Sequence, residues 1–168
     1  MTKSYRITKY DPLMRKANGR FPIDTWTSAS DIGKVYEGAR FTLADYLKIE
    51  DGYVLCVNKI LSFVNDVSLV ISEFEDYRDK SPANYHKVFN DELYGLTFKK
   101  NNIILGDLDA LIRLSLREEV WCKLECPEAF IHFGYDFYCY VGVPDYVDVS
   151  EMQLPDGIYI EEVKSPYL

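Results

Sequence analysis

Histidine is scarce in this chain. Only His86 and His132 occur among 168 residues. A general base needs a nucleophile within reach and a third group to orient it. Neither histidine has such neighbours in sequence, so acid–base chemistry has little to build on. There is also no His-x-x-x-His, no His-Glu pair and no Asp-x-Asp-x-Asp-Gly loop, which removes the common metal motifs. None of the nine glycines forms Gly-x-Gly-x-x-Gly or a Gly-Lys-Ser/Thr phosphate loop, so a nucleotide enzyme is not expected. No apolar run is long enough to span a bilayer. The first residues, MTKSYRITKYDP, alternate and carry charge, unlike a secretory leader. The four cysteines, Cys56, Cys122, Cys126 and Cys139, contain no Cys-x-x-Cys pair and sit in apolar patterns. They read as reduced core thiols of a cytoplasmic protein.

Basic residues are missing from one end. Residues 118–168 hold eleven acids against Lys123 and Lys164, a net −9. Residues 41–168 hold twenty-three acids and eleven bases, a net −12, whereas residues 1–40 carry eight bases and four acids, a net +4. Such an acidic half repels a phosphate backbone, which argues against direct nucleic-acid binding. It attracts a basic partner and speeds the encounter, or it serves solubility alone.

Aromatic residues are abundant: 15% of the chain, with fourteen tyrosines. Six rings crowd into Ala129–Val143, AFIHFGYDFYCYVGV. Rings and β-branched residues suit a pleated, half-buried surface. Gly134 and Asp136 mark a bend or tight turn near the middle. The stretch reads as two adjoining strands, or one kinked strand, at the centre of a sheet.

The chain around it follows simple patterns. Residues 4–10 alternate as a strand that Asp11-Pro12 ends. Residues 13–24 form a basic loop turning at Asn18-Gly19. Residues 24–33, DTWTSASDIG, make a polar loop anchored by Trp26 and folded by Ser28, Ser30 and Asp31. Thr42 caps a helix with Asp45 closing the box; its apolar stripe reaches about Asn65, with a kink or break expected at Asp51-Gly52. Residues 67–77 read as a strand whose apolar first half suits a central position. Residues 78–93 are loop, residues 94–98 a short strand, and residues 99–102 a turn. Asp107 caps a short helix to about Arg117. Residues 119–126 alternate, with Val120, Cys122, Leu124 and Cys126 inward. Residues 145–156 are an acidic loop, and residues 157–163 a last strand. Late consecutive strands favour antiparallel pairing. The expected fold is α+β: a mainly antiparallel sheet with helices packed on one face, in a single domain over residues 1–168.

Two acid–tyrosine groups stand out as surface for a basic protein partner: Glu73, Glu75, Asp76, Tyr77 and Asp79, then Asp145, Tyr146, Asp148 and Glu151. The plain alternative is solvated loops and strand ends. Asp107 and Asp109 read as helix-start acids rather than cation ligands. A site around Asp31, Asp136 and His132 is the enzyme alternative, and a non-catalytic adaptor is a third possibility.

Several strings resemble bacterial immunity proteins, the cytoplasmic antidotes of polymorphic or contact-dependent growth-inhibition toxins. They are RITKYDP at 6–12, DTWTSASDIG at 24–33, TLADYLKIEDGY at 42–53, HFGYDFYCYVG at 132–142 and LPDGIYIEEVKSPY at 154–167. The resemblance implies a small α+β protein that neutralises its toxin by binding, without catalytic residues, cofactor or metal. Many such toxins are nucleases, an RNase being expected here ahead of a DNase. A nuclease surface is basic because it holds a polyanion, so an acidic inhibitor can cover it.

Overall fold

The computed structural model describes residues 2–80, 86–89, 92–104 and 106–168; the side chains of Thr2 and His86 lie outside that description. Six strands form one sheet: β1 (Thr2–Thr8), β4 (Val70–Asp76), β5 (Val120–Glu125), β6 (Phe130–Phe133), β7 (Cys139–Pro144) and β8 (Tyr159–Glu162). Their order is β4-β5-β6-β7-β1-β8, and every neighbouring pair is antiparallel. A small hairpin of β2 (Val35–Tyr36) and β3 (Ala39–Arg40), not foreseen from sequence, precedes helix α1 (Leu43–Leu61). Helix α2 (Leu108–Leu116) follows β4.

The aromatic stretch supplies the middle of the sheet as two strands, β6 and β7. The turn between them puts Asp136 and Phe137 at φ 56° and 62°. Two successive non-glycine residues in the left-handed region are uncommon. Here the Phe137 ring is buried edge-on against Trp26, Tyr46 and Tyr53, and its carbonyl accepts from the Tyr53 hydroxyl at 2.6 Å. That burial holds the turn.

Both helices cover one face. Helix α1 lies against β7 and α2, and α2 against β5. Tyr46, Tyr53, Val57 and Ile60 of α1 meet the inward side chains of Ile7, Ile131 and Val141, all at or near zero exposure. Each such large side chain contributes about 1.5–3 kcal/mol on burial. The Thr42–Asp45 capping box starts α1 as expected. The break expected at Asp51-Gly52 does not occur; the helix runs through and stops at Leu61 rather than near residue 65. Gly52 is there for packing, since a Cβ on it would stand 2.7 Å from the Ile158 side chain.

Other expectations need correction. Strand β4 is an edge strand, not a central one. Its apolar first half is closed from outside by residues 101–104, through Ile71 N–H to the Asn102 carbonyl at 3.0 Å and Ile104 N–H to the Leu69 carbonyl at 2.8 Å. A loop, not a seventh strand, makes that position look interior. Residues 94–98 form no strand; a 3-10 turn at Leu93–Gly95 leads into extended chain. Asp107 precedes α2 but its side chain makes no cap bond. Strand β1 begins two residues earlier than expected and ends at Thr8. The loop expected over 78–93 has short 3-10 turns at Arg78–Lys80 and His86–Val88, and its Ser81-Pro82 lies outside the described residues. All four cysteines are free, with Cys56, Cys122 and Cys139 buried.

The opposite face of the sheet is also covered. Residues 163–168 cross it, with Val163 N–H donating to the Ser4 carbonyl (3.0 Å), Ser165 N–H to Ser4 Oγ (3.1 Å) and Lys123 Nζ to the Tyr167 carbonyl (3.3 Å). The basic N-terminal region is spent partly inside the molecule. Arg6 and Arg15 reach Glu161 at 2.7 and 3.5 Å while lying over the Tyr138 ring.

Candidate partner-binding surface

Strand alternation and one bulge decide where the first acidic group points. The register shifts between Ile71 and Glu73, after which Glu73 faces Lys123 and Glu75 faces Trp121 on the face away from the helices. Phe74 faces Cys122 on the helix side. Two of the acids are committed internally. Glu73 lies 3.1 Å from Lys123. Asp76 receives Nε, Nη2 and the main-chain N–H of Arg78, and those hydrogen bonds hold its carboxyl below the usual range. Arg78 also donates to the Tyr94 and Leu96 carbonyls, so this pair fixes the loop beyond β4. Glu75 and Asp79 are exposed. Glu75 accepts a 2.5 Å hydrogen bond from the Tyr77 hydroxyl, which raises the tyrosine's pKa.

Glu75 and Tyr77 border a cavity of about 390 Å³ where β4 ends, β5 begins and β6 ends. Trp121 forms one wall, with its indole N–H donating to the Phe133 carbonyl at 3.3 Å. Tyr167 forms another and needs Gly134, where a Cβ would sit 3.0 Å from the Tyr167 hydroxyl. Tyr135 stands at the rim, 87% exposed. Glu118 completes the border from the end of α2. It holds φ 60° at the position where helices commonly end in glycine, with Glu119 N–H returning to the Leu114 carbonyl at 3.0 Å. Its carboxylate accepts from the Ser28 hydroxyl at 3.2 Å. None of the described residues lining the cavity is basic.

The second acidic group lies elsewhere. Asp145, Tyr146, Asp148 and Glu151 are exposed beyond the end of β7, where β4 and β5 have their opposite ends. A strand of this length separates the two groups by roughly 20 Å. Val147 and Val149 are buried and pin that loop, and Asp148 folds it by accepting from Ser150 N–H at 2.9 Å. The two groups are therefore two patches, and Glu75 and Tyr77 of the first patch line a cavity with their own side chains.

Asp31 and Asp136 both act on Lys9, whereas His132 is engaged elsewhere, with Ser165 and Glu125. Asp31 accepts from Thr27 N–H, Ser28 N–H and Lys34 Nζ, at 2.9, 3.3 and 2.6 Å, as the expected loop fold predicts. Asp136 sits in the β6–β7 turn. His132 is 1% exposed. Its Nδ1 lies 3.2 Å from Ser165 Oγ, its Nε2 lies 3.0 Å from Glu125 Oε1, and its ring stacks on Phe130. The Glu125 carboxylate can only accept, so the neutral ring donates to it from Nε2 and its Nδ1 accepts from the Ser165 hydroxyl, whose oxygen also accepts from Tyr167 N–H. Burial lowers the His132 pKa, outweighing the Glu125 hydrogen bond that raises it. This chain of bonds ties the C-terminal segment to the sheet. The serine is 3% exposed, and neither it nor His132 borders the cavities described here.

Two further cavities occur. One, about 560 Å³, lies between Leu55, Lys59 and Met152 on the outside of α1. The other, about 260 Å³, contains Lys9, Tyr10, Phe21 and Trp26. Lys9 Nζ sits 4.1 Å from the centres of both the Tyr10 and Trp26 rings. Burial, offset only partly by Asp31 and Asp136, lowers its pKa to about 7.

Among the described residues no three His, Cys, Asp or Glu side chains are grouped to hold a metal ion, and no helix is long and apolar enough to cross a membrane. Sequence reading found Glu75 and Tyr77 but missed Glu118, Trp121, Tyr135 and Tyr167. No local motif links them, because four separate segments bring them together. No family model, curated protein or solved structure matches the chain.

Proposed function

We propose that this protein is a non-catalytic inhibitor of the immunity type, which binds a basic toxin domain, a nuclease, in the cytoplasm. The observation that carries the reading is the patch at the β4–β5 end, where acidic side chains border a ring-lined cavity without a basic lining residue. Acids around an aromatic pocket suit a cationic protein surface: the charge accelerates encounter and the buried contacts set residence time. The burial of His132 and the engagement of Asp31 within its own loop favour the inhibitor reading over a catalytic site at those residues.

The experiment is co-purification of this chain with the product of the adjacent gene, followed by assay of that product's nuclease activity. A stoichiometric complex with lost nuclease activity is the expected result. Absence of a complex, or turnover of a small substrate by this chain alone, overturns the reading.

A further inference from the structure

We infer that the cavity bordered by Glu75, Tyr77, Glu118, Trp121, Tyr135 and Tyr167 is a receptacle for one cationic side chain, a guanidinium or an ammonium, presented by a bound protein. The inference deepens the inhibitor reading and rests on it for the identity of the donor.

Ring faces carry negative potential, and a cation over a ring gains most when carboxylates stand close and water is partly excluded. This molecule already uses that contact internally. Arg6 lies 4.8 Å over Tyr138 and Arg117 lies 3.9 Å over Phe89. Lys80 occupies the Tyr77 ring at 5.6 Å. Trp121, Tyr135 and Tyr167 have no such cation among the described residues.

The carboxylates are similarly placed. Glu75 and Glu118 receive hydroxyl hydrogens, from Tyr77 and Ser28, and no basic side chain among the described residues. Glu118 also occupies a left-handed position that glycine would fill with less strain. An anion would meet both carboxylates, which excludes phosphate and acidic peptides. At about 390 Å³ the space lies near the small end of ligand cavities, which run from about 300 to 1,000 Å³. The Trp121 indole N–H is already bonded, so its ring is held in place for stacking.

The test is a titration with Nα-acetyl-arginine methylamide and its uncharged citrulline counterpart, followed by the NMR shift of the Trp121 indole N–H. The arginine probe should bind in the millimolar range, with the citrulline probe at least about tenfold weaker. Glu118→Gln and Glu75→Gln should each weaken the arginine probe several-fold. Glu118→Gly should do the same while raising the melting temperature, which a merely destabilised site would not show. Equal binding of the two probes, or no shift of Trp121 up to about 50 mM arginine probe, overturns the inference. The two readings fail separately. If charge reversal at this edge slows toxin association but the arginine probe does not bind, the receptacle falls and the inhibitor stands. If the probe binds but no basic protein is captured, the inhibitor falls and the cation site stands.

Discussion

Arg117 and Glu50 form an ion pair sealed from water. Nε of Arg117 donates to Glu50 Oε1 at 2.7 Å and Nη2 to Oε2 at 2.8 Å, and the two side chains are 2% and 0% exposed. Arg113 adds a third bond at 2.8 Å and extends to Asp51. The pair joins α1 to the end of α2. Removing Glu50 takes the carboxylate from both Arg117 bonds while the guanidinium stays buried. Glu50→Ala should lower stability by about 3–5 kcal/mol, a large part of what a domain this size possesses. The Glu50→Leu/Arg117→Met double variant should lose much less. Urea unfolding of the three proteins checks both statements.

Acid should loosen the C-terminal segment before it unfolds the sheet. His132 has a folded pKa below its ordinary 6.5, so the unfolded chain binds more protons in that interval. Its contribution is complete above pH 6.5 and is lost as pH falls below. Glu125 acts in the same direction. Burial raises its pKa, but hydrogen bonds from Ser72 and His132 bring it below the ordinary value, so its contribution is lost further into acid. Hydrogen exchange at the Ser165 and Tyr167 amides should rise between pH 6.5 and 5 in the native chain. In His132→Asn that increase should be absent.

Lys9 should titrate near neutrality. Its burial penalises the charged form, so stability rises as pH climbs from about 7 toward the unfolded lysine value. Lys9→Met should therefore stabilise the fold at pH 6, by on the order of 1–2 kcal/mol. The gain should shrink as pH approaches 10. Thermal melts of both proteins across that range test the sign, and a gain that grows with pH would contradict it.

Charge reversal should separate the two acidic patches in the proposed complex. Glu75→Lys with Asp79→Lys should cut the association rate at low salt by tenfold or more, with the loss fading as salt rises. Asp145→Lys with Asp148→Lys, at the far end of the sheet, should change it by less than about threefold. Stopped-flow association with the toxin domain measures both, and the reverse order would relocate the interface.

Local periodicity revealed most of the sheet. Residues 120–125 alternate in burial as they do in polarity, and the aromatic stretch is the centre because it is apolar on both sides. Gly52 misled because a helix-weakening residue is also the one that lets Ile158 approach. Strand β4 misled because residues 101–104 shelter it as a neighbouring strand would. The candidate site was half legible: Glu75 and Tyr77 belong to one acidic string, whereas Glu118, Trp121, Tyr135 and Tyr167 converge only after folding. The same holds for His132, whose partner Ser165 is 33 residues away.

Strand β4 also constrains how any visitor can approach. Half of its margin is already stitched to residues 101–104, and the other half bears Glu73, Glu75 and Asp76. A foreign backbone cannot zip along the sealed half, and the charged half discourages it. Recognition on that flank must run through protruding groups rather than a shared ribbon of main chain. Individual substitutions there should retune selectivity without rewiring the architecture.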